Sequence, residues 1–510
     1  MAPPQPNKSV QMSGSEDDKM SERQNASYQH LKTGRANAAL KGVFWSSLNS
    51  LAPAAVGVAV FTVTSRYLTP VEFGMVAFAG SIAGFASALG PGGFGDALVQ
   101  RSDIEPKHLD SVFWLCIGTA LIIYTVLILV ASPLAEWTSE PELVMLMPVV
   151  GARVIFDLAA VVPNSLLTRS MSFNRLAIRT TIASLISGIL CVTVLVLGYG
   201  IWALALSQLA TSFVTAIGAL VAVKWRPNWS FSASSISELK HFGLFASGSR
   251  ILSVVNFDQI LIGSLLGTGP LGLFSFAQRI YQMLSQLLVG VMNSISFPLL
   301  SSLKSEEDKL RKVFMSITFI SSAASFPIFV GLAAIADDLI PFAFGPHWIE
   351  AIWALRGFCV IGLLACIGVL QAALIQSQGK VDWWMCYMAA NQTLTVLVVL
   401  VFYRYGVDAL VAAIAIKTCL FWPVSIAMTV RLLKIDLSQY LRPFAVPSAA
   451  AFVMFIFVLT TQQLLADFNI LTRLGAQLAV GGVAYTGLLF FLGRSKIIEL
   501  AHLIKMSKSQ

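Results

Sequence analysis

Charge is scarce in this chain: 12% of its 510 residues are Asp, Glu, Lys or Arg, 56% are hydrophobic, and mean hydropathy is +0.76. That balance lies well outside the range of soluble globular domains. Cysteine is also sparse. The six (Cys116, Cys191, Cys359, Cys366, Cys386 and Cys419) fall in apolar stretches and none forms a CxxC, which excludes a disulfide framework and a zinc site and leaves them as small packing residues. Histidine is missing from the apolar stretches, since His30, His108, His241, His347 and His502 lie in tails, loops or at edges, so proton coupling would have to use a carboxylate. There is no GxxxxGK[ST], HExxH or GxSxG, and no carboxylate pair in a loop of the kind a membrane glycosyltransferase sets beside its substrate. These absences leave a secondary transporter, with no cofactor beyond coupling to a proton or sodium gradient.

What is abundant is long hydrophobic runs, each of the length that a hydrocarbon layer about 30 Å thick requires. Fourteen spans are expected, at 42–65, 72–94, 111–131, 143–163, 177–197, 201–223, 242–266, 271–299, 313–335, 350–375, 382–403, 407–430, 443–463 and 474–493. With both termini in the cytoplasm, cytoplasmic segments hold 26 of the 34 Lys and Arg residues, outer loops hold Arg66, Arg404 and Arg473, and the spans hold five. This sorting obeys the positive-inside rule and accounts for the net charge of +8 without a nucleic-acid partner. Most Trp residues, Trp114, Trp229 and Trp348 among them, lie near span ends as an aromatic belt.

The expected fold class is an all-α polytopic membrane protein. It divides into a polar cytoplasmic tail over 1–40, a six-helix lobe over 41–224, a linker over 225–241, a second six-helix lobe over 242–432, two additional helices over 433–493 and an amphipathic cytoplasmic tail over 494–510. The first apolar run begins after some forty residues and is too long for a signal-peptide core, so no cleavable leader is expected. An internal repeat at an offset of 198 aligns Leu68, Gly74, Phe78, Ala79, Ile82 and Leu89 with Leu266, Gly272, Phe276, Ala277, Ile280 and Leu287. Six spans separate the copies, so the lobes would be parallel repeats about an axis along the membrane normal.

Seven ionisable residues sit within spans: Arg153, Asp157, Arg250, Asp258, Arg279, Arg356 and Lys417. Facing lipid, they would cost on the order of 20 kcal/mol at about 2.5–3.5 kcal/mol each, more than a typical folding stability of about 5–15 kcal/mol. They are therefore expected to face a watery interior or one another, and their surplus of cations points to an anionic cargo. Arg153 and Asp157, four apart, suit an intrahelical pair. Asp258 cannot reach Arg250 along its own helix and needs Arg279, or a bound cation, as partner; Asp258 and Asp157 are the candidates for ion coupling. Lys417 is deep in its span with no acidic residue within a turn, and Arg356 is near enough to the outer edge to snorkel. Over 271–299, a polar stripe of Ser275, Gln278, Arg279, Gln282, Ser285, Gln286, Asn293 and Ser296 falls within an arc of about 120°. Its amides and hydroxyls suit water and sugar hydroxyls, or glue between helices.

The segment His241–Leu303 resembles the central signature of bacterial polysaccharide exporters in the multidrug/oligosaccharidyl-lipid/polysaccharide superfamily. The features that carry the likeness are Asp258 followed by Ile262-Gly263, the LG-x-x-x-LG turn from Leu266 to Gly272, and Phe297-Pro298; Ser65 to Pro70 with Phe73-Gly74 is similar in the first half. The resemblance implies a Wzx-type flippase that moves undecaprenyl-diphosphate-linked oligosaccharide repeat units from the inner to the outer leaflet of the bacterial plasma membrane, for exopolysaccharide, capsule or O antigen. It also implies two lobes around an alternating cavity, with a polysaccharide polymerase and a chain-length regulator as partners. On that reading Arg279, Lys417, Arg250, Arg153 and Arg356 attract the diphosphate, and Gln278, Gln282, Gln286 and Asn293 line the sugar passage. A lipid II flippase is the nearest alternative. A cation-coupled drug exporter fits less well, because it calls for acidic excess in the cavity, and a membrane-embedded polymerase or ligase fits poorly with such short outer loops.

Overall fold

The computed structural model describes residues 53–254, 256–303 and 306–507, and among these the secondary structure is helical. A chain immersed in hydrocarbon has to pair its backbone N–H and C=O groups internally, and the helix does so within each segment. In order the helices are α1 (53–67), α2 (Pro70–Ala88), α3 (Gly93–Gln100), α4 (Pro106–Thr138), α5 (Leu143–Gly151), α6 (Arg153–Ala159), α7 (Val161–Arg169), α8 (Phe173–Val196) and α9 (Trp202–Ala222). The second half holds α10 (Ala233–Val254), α11 (Phe257–Leu266), α12 (Thr268–Ser302), α13 (Glu307–Ala343), α14 (Ile352–Ser377), α15 (Val381–Phe402), α16 (Gly406–Leu433), α17 (Leu437–Leu464) and α18 (Ile470–Ser507). Single 3-10 turns, Pro346–Ala351 and Tyr403–Tyr405, precede α14 and α16.

Each of the fourteen apolar segments carries helix, the first of them described from residue 53 onward. Among the described residues ten helical stretches are long and apolar enough to cross a bilayer, one being 381–433, which contains both α15 and α16. The polar tail expected over 1–40 lies outside the described residues, as do the side chains of the amphipathic tail from residue 495 on. The span over 143–163 has only local turns at Ala152 and Ala160, whose backbone stays right-handed, but two other spans are interrupted. That expected over 72–94 stops at Ala88 and restarts at Gly93, because the Gly90-Pro91-Gly92 run interrupts the ladder. That expected over 242–266 is broken at Asn256, whose ψ of 75° is not helical, into α10 and α11. Discontinuous helices of this kind are used in membranes to place polar groups at mid-depth.

Local signals set where α2 begins. Thr69 accepts from the Glu72 amide at 3.3 Å while Glu72 accepts from the Thr69 amide at 2.8 Å, a reciprocal cap with Pro70 at the first helical position. Beyond this cap the two halves meet through glycine. A Cβ on Gly74 would stand 1.8 Å from the Thr268 carbonyl oxygen, and one on Gly272 would stand 1.8 Å from that of Pro70. Both pairs are related by the same 198-residue offset that aligns the repeat, so the contact is reciprocal about a local two-fold axis between α2 and α12.

The same end carries an aromatic plug. Trp348 is fully buried, stacks on Phe276 at 4.0 Å, meets Phe73 edge-on at 5.6 Å, and donates its indole N–H to the Ser65 carbonyl at 2.7 Å. Phe61 and Phe344 complete it, and Arg66 donates to the carbonyls of Phe342 and Ala343. Trp348 is thus a core residue and not a belt residue, because the short loop after α13 folds back between α2 and α12.

The last helix, α18, packs on α13 through a buried carboxylate. Asp338, 4% exposed in its side chain, accepts from Arg473 and, at 2.8 Å, from Gln477 of α18. Asp338→Ala should lower unfolding stability by about 3 kcal/mol, since it strands a guanidinium and an amide in a poorly solvated place. Thermal unfolding in detergent checks this, and an unchanged midpoint would show that α18 docks by apolar contact alone.

Candidate functional site

Between the halves lies a cavity of about 840 Å³, bounded by α1, α2, α6, α8 and α9 on one side and α11 and α12 on the other. Small residues on the facing helices (Gly57, Gly80, Gly84, Gly188, Ser81 and Ser184) keep it open. Four of its hydroxyls have their protons committed within their own helices: Ser81 donates to Phe78 O at 2.9 Å, Ser184 to Thr181 O at 3.0 Å, Ser207 to Leu204 O at 2.9 Å and Thr211 to Ser207 O at 2.8 Å. Their oxygen lone pairs remain to accept from a hydroxylated guest.

Two cations enter this space. Arg279, on α12, turns its exposed surface into the cavity. Among the described residues its guanidinium makes no hydrogen bond or ion pair. Arg153, at the start of α6, donates to Gln208 Oε1 at 2.9 Å, while its Nε lies 3.6 Å from Asp157 Oδ2 without a hydrogen bond. The intrahelical pair expected from the sequence is therefore made, though loosely, and Gln208 holds the remainder of the guanidinium toward the cavity. Neutral donors and acceptors flank the arginines: Asn256, Gln259, Gln282 and Gln286.

The polar stripe of α12 divides between two environments. Ser275, Arg279, Gln282 and Gln286 line the cavity, whereas Gln278, Ser285 and Ser296 are buried against neighbouring helices. The Asn293 side chain lies outside the described residues. Gln278 departs from its expected role as a sugar contact, since it donates to Asp258 Oδ2 at 3.2 Å and accepts from Gln259 Nε2 at 2.6 Å. Asp258 in turn takes the Gln259 amide at 3.0 Å. The expected Arg279 partner for Asp258 is thus replaced by amides.

Three of the expected cavity cations are spent elsewhere. Lys417 is not among the lining residues and donates to Asn391 Oδ1 at 3.0 Å and Thr395 Oγ1 at 2.8 Å, both on α15. Arg250 pairs with Asp96 at 3.2 Å, both about half exposed, where α10 crosses α3. Arg356 pairs with Asp337 at 2.7 Å and lies over the Trp353 ring rather than snorkelling unpartnered. Asp96 and Asp337 escaped notice in the sequence because each sits at the edge of its apolar run, where a charge calls for no explanation. Cys386 and Cys419 are exposed and so are not the packing residues expected, unlike the four buried cysteines.

Sequence reasoning also missed the contribution of α8 and α9. Ser184, Ser187, Ser207, Gln208 and Thr211 all face the cavity. Their spacing on one face of each helix was the available signal, weak because each is a lone hydroxyl or amide among apolar residues. Arg179, two residues into the span expected over 177–197, is a further charge inside a span: it is partly buried and donates to Asn164. Outside the membrane, Arg101 and His108 converge on Glu238, and the hydrogen bond from Arg101 holds that carboxyl below the usual carboxylate range.

Residues 63–353, more than half of the chain and all but one of the helices around the cavity in full, match the family model for polysaccharide biosynthesis proteins. The chain belongs to that family. This polysaccharide biosynthesis protein is 26% identical over 489 residues to the succinoglycan biosynthesis transport protein ExoT of Rhizobium meliloti, an alignment covering 93% of this chain and 97% of that one. To the teichuronic acid biosynthesis protein TuaB of Bacillus subtilis it is 25% identical over 472 residues, 88% of this chain and 95% of the other. Among solved structures, a lipid II flippase MurJ in an inward closed conformation superposes with a TM-score of 0.71 at 15% identity, over 89% of this chain and 99% of that one. The polysaccharide biosynthesis protein thus shares the flippase-type helical fold and is a multi-pass protein of the bacterial inner membrane.

Proposed function

We propose that this polysaccharide biosynthesis protein flips a diphosphate-linked, lipid-anchored oligosaccharide from the inner to the outer leaflet by alternating access. The observation that carries the reading is Arg279, a guanidinium with no hydrogen bond or ion pair among the described residues, in a cavity at membrane depth. A planar fork of donors in such a place matches phosphate oxygens geometrically, and the low local dielectric strengthens the attraction. Arg153, steered by Gln208, presents a second charge from the opposite half, so one diphosphate bridges both. The serine and threonine lone pairs with the amides of Gln259, Gln282 and Gln286 suit sugar hydroxyls, while the lipid tail stays in the bilayer.

On this reading the basic loops face the cytoplasm by the positive-inside rule, and the glycine and aromatic seal, at the other end, faces outward. The cavity then receives its guest from the cytoplasmic side. A polymerase and a chain-length regulator would take up the product outside. The cation-coupled drug exporter is disfavoured because both charges displayed without full neutralisation are positive.

The test uses purified protein in liposomes with a fluorescent undecaprenyl-diphosphate oligosaccharide, read by its accessibility to an impermeant quencher. Flipping well above that of empty liposomes, poorly competed by lipid II and by lipophilic cations, is the expected result. Efficient competition by lipid II would transfer the assignment to peptidoglycan precursor, and export of a cationic dye in place of the lipid would refute it.

A further inference from the structure

At the end where glycine and aromatic side chains seal the two halves lies another cavity, of about 600 Å³, between the first turns of α12, α14 and α16. Pro270 and Leu273 form its wall on α12, within a turn of the Gly272 contact. It therefore stands beside the way out of the central cavity. Trp353 lines it and is 67% exposed, much for a side chain that is on average well buried. Arg356 fixes the ring: its guanidinium lies over it at 5.2 Å and is itself held by the Asp337 carboxylate at 2.7 Å and the Ala333 carbonyl at 3.2 Å. The carboxylates of Asp337, Glu350 and Asp408 stand around it.

The face of an aromatic ring is electronegative and packs against the polarised C–H bonds of a sugar ring. Ionised carboxylates accept and do not donate, so they suit a guest with several hydroxyl donors, and such charge-assisted bonds are roughly twice as strong as neutral ones. A metal ion fits less well, because among the described residues no three Asp, Glu, His or Cys side chains are placed to share one and Asp337 is taken by Arg356. We propose that this pocket holds a pyranose ring of the oligosaccharide as it leaves the central cavity, with Trp353 as the stacking platform and Glu350 and Asp408 as acceptors, and that it favours neutral or amino sugars. The two sites then divide the substrate by charge: guanidiniums in the cavity hold the diphosphate, and the acidic pocket repels it while receiving the glycan. An organic cation would suit the ring as well, but it would have to pass the same guanidiniums. The inference rests on the flipping reading, and its test measures binding without transport, so either can fail without the other.

Ile349, which lines the pocket and is 50% exposed, carries the reporter. Ile349→Cys is made in the full-length chain without its native cysteines, placed in nanodiscs free of sugar-headed detergent, and labelled with an impermeant maleimide at constant ionic strength. Cellobiose or diacetylchitobiose should slow labelling saturably, about tenfold at roughly ten times the half-maximal concentration. Adding Trp353→Ala should remove that protection and Trp353→Phe should keep part of it, whereas Phe468→Cys, in the exposed turn before α18, should never be protected. Digalacturonate should need about ten times the concentration of cellobiose for the same effect. Absence of protection by either neutral sugar would overturn the proposal, and that measurement stands even if neither Trp353 variant folds. Undiminished protection in a folded Trp353→Ala would overturn it as well. Stronger protection by calcium, tetramethylammonium or digalacturonate than by the neutral sugars would do the same, assigning the pocket to a metal, an organic cation or an anion.

Discussion

Arg279→Ala should slow flipping at low substrate by about 100-fold or more, with protein abundance and melting temperature little changed. A hydrogen bond to a charged group is worth about 1.5–3 kcal/mol, and a guanidinium on a diphosphate makes two of them. Stability should be spared because Arg279 has no partner to strand: among the described residues nothing is hydrogen-bonded or ion-paired to it. Arg279→Lys keeps the charge and loses the fork, so it should recover part of the rate, within about tenfold of wild type. Initial rates in liposomes at several substrate concentrations decide the matter. If Arg279→Ala stays within about threefold of wild type, the cavity does not bind its cargo through this residue. Arg153→Ala should cost less, since that guanidinium is already shared with Gln208 and Asp157.

Gly74→Ala and Gly272→Ala should each abolish flipping by locking open the end of the cavity that the glycines now seal. In both, the new Cβ would lie 1.8 Å from a backbone carbonyl oxygen, so no rotamer change relieves the clash and the helices must separate. Overpacking costs about 1–3 kcal/mol or more, enough to move a two-state equilibrium by about ten- to hundredfold. Gly84→Ala is the control, because Gly84 lines the same cavity and a Cβ there meets nothing within 4 Å. The measurement is labelling of a cysteine at Ser81, in a background without the native cysteines, by an impermeant maleimide added from the sealed side. Faster labelling with loss of transport is expected. Wild-type transport in either variant would mean that the α2–α12 contact is not remade during the cycle.

Much of this architecture is legible in the chain itself. Hydropathy alone locates fourteen helical segments, because a backbone in hydrocarbon has no partner but its own helix. The Thr69-Pro70-Val71-Glu72 cap announces the start of α2. The 198-residue repeat identifies Gly74 and Gly272 as equivalents without indicating that each packs against the other's helix. Less legible were the breaks, and for different reasons. Gly90-Pro91-Gly92 advertises an interruption, whereas the break at Asn256 comes after Ser253, Val254 and Val255, which are weak helix formers but carry no glycine or proline signal.

The site was only half legible. Composition required that charges inside the spans face water or one another, and both outcomes occur. Gln278 and Arg279 are adjacent in sequence and about 100° apart around α12; one is buried against Asp258 and the other opens into the cavity. No periodicity argument resolves that choice, since it depends on how far the helix is rotated against its neighbours. Likewise Asn391 and Thr395, which take the Lys417 ammonium, are 26 and 22 residues from it and are neutral, so nothing in the sequence marks them as its partners. The sequence by itself determined the solvent of this protein, its helices and the need to shelter its cations, because those follow from transfer energies residue by residue. Only the tertiary structure decided which cation stays free for a ligand, because partnership between side chains is set by helix rotation and long-range contact, to which hydropathy is blind.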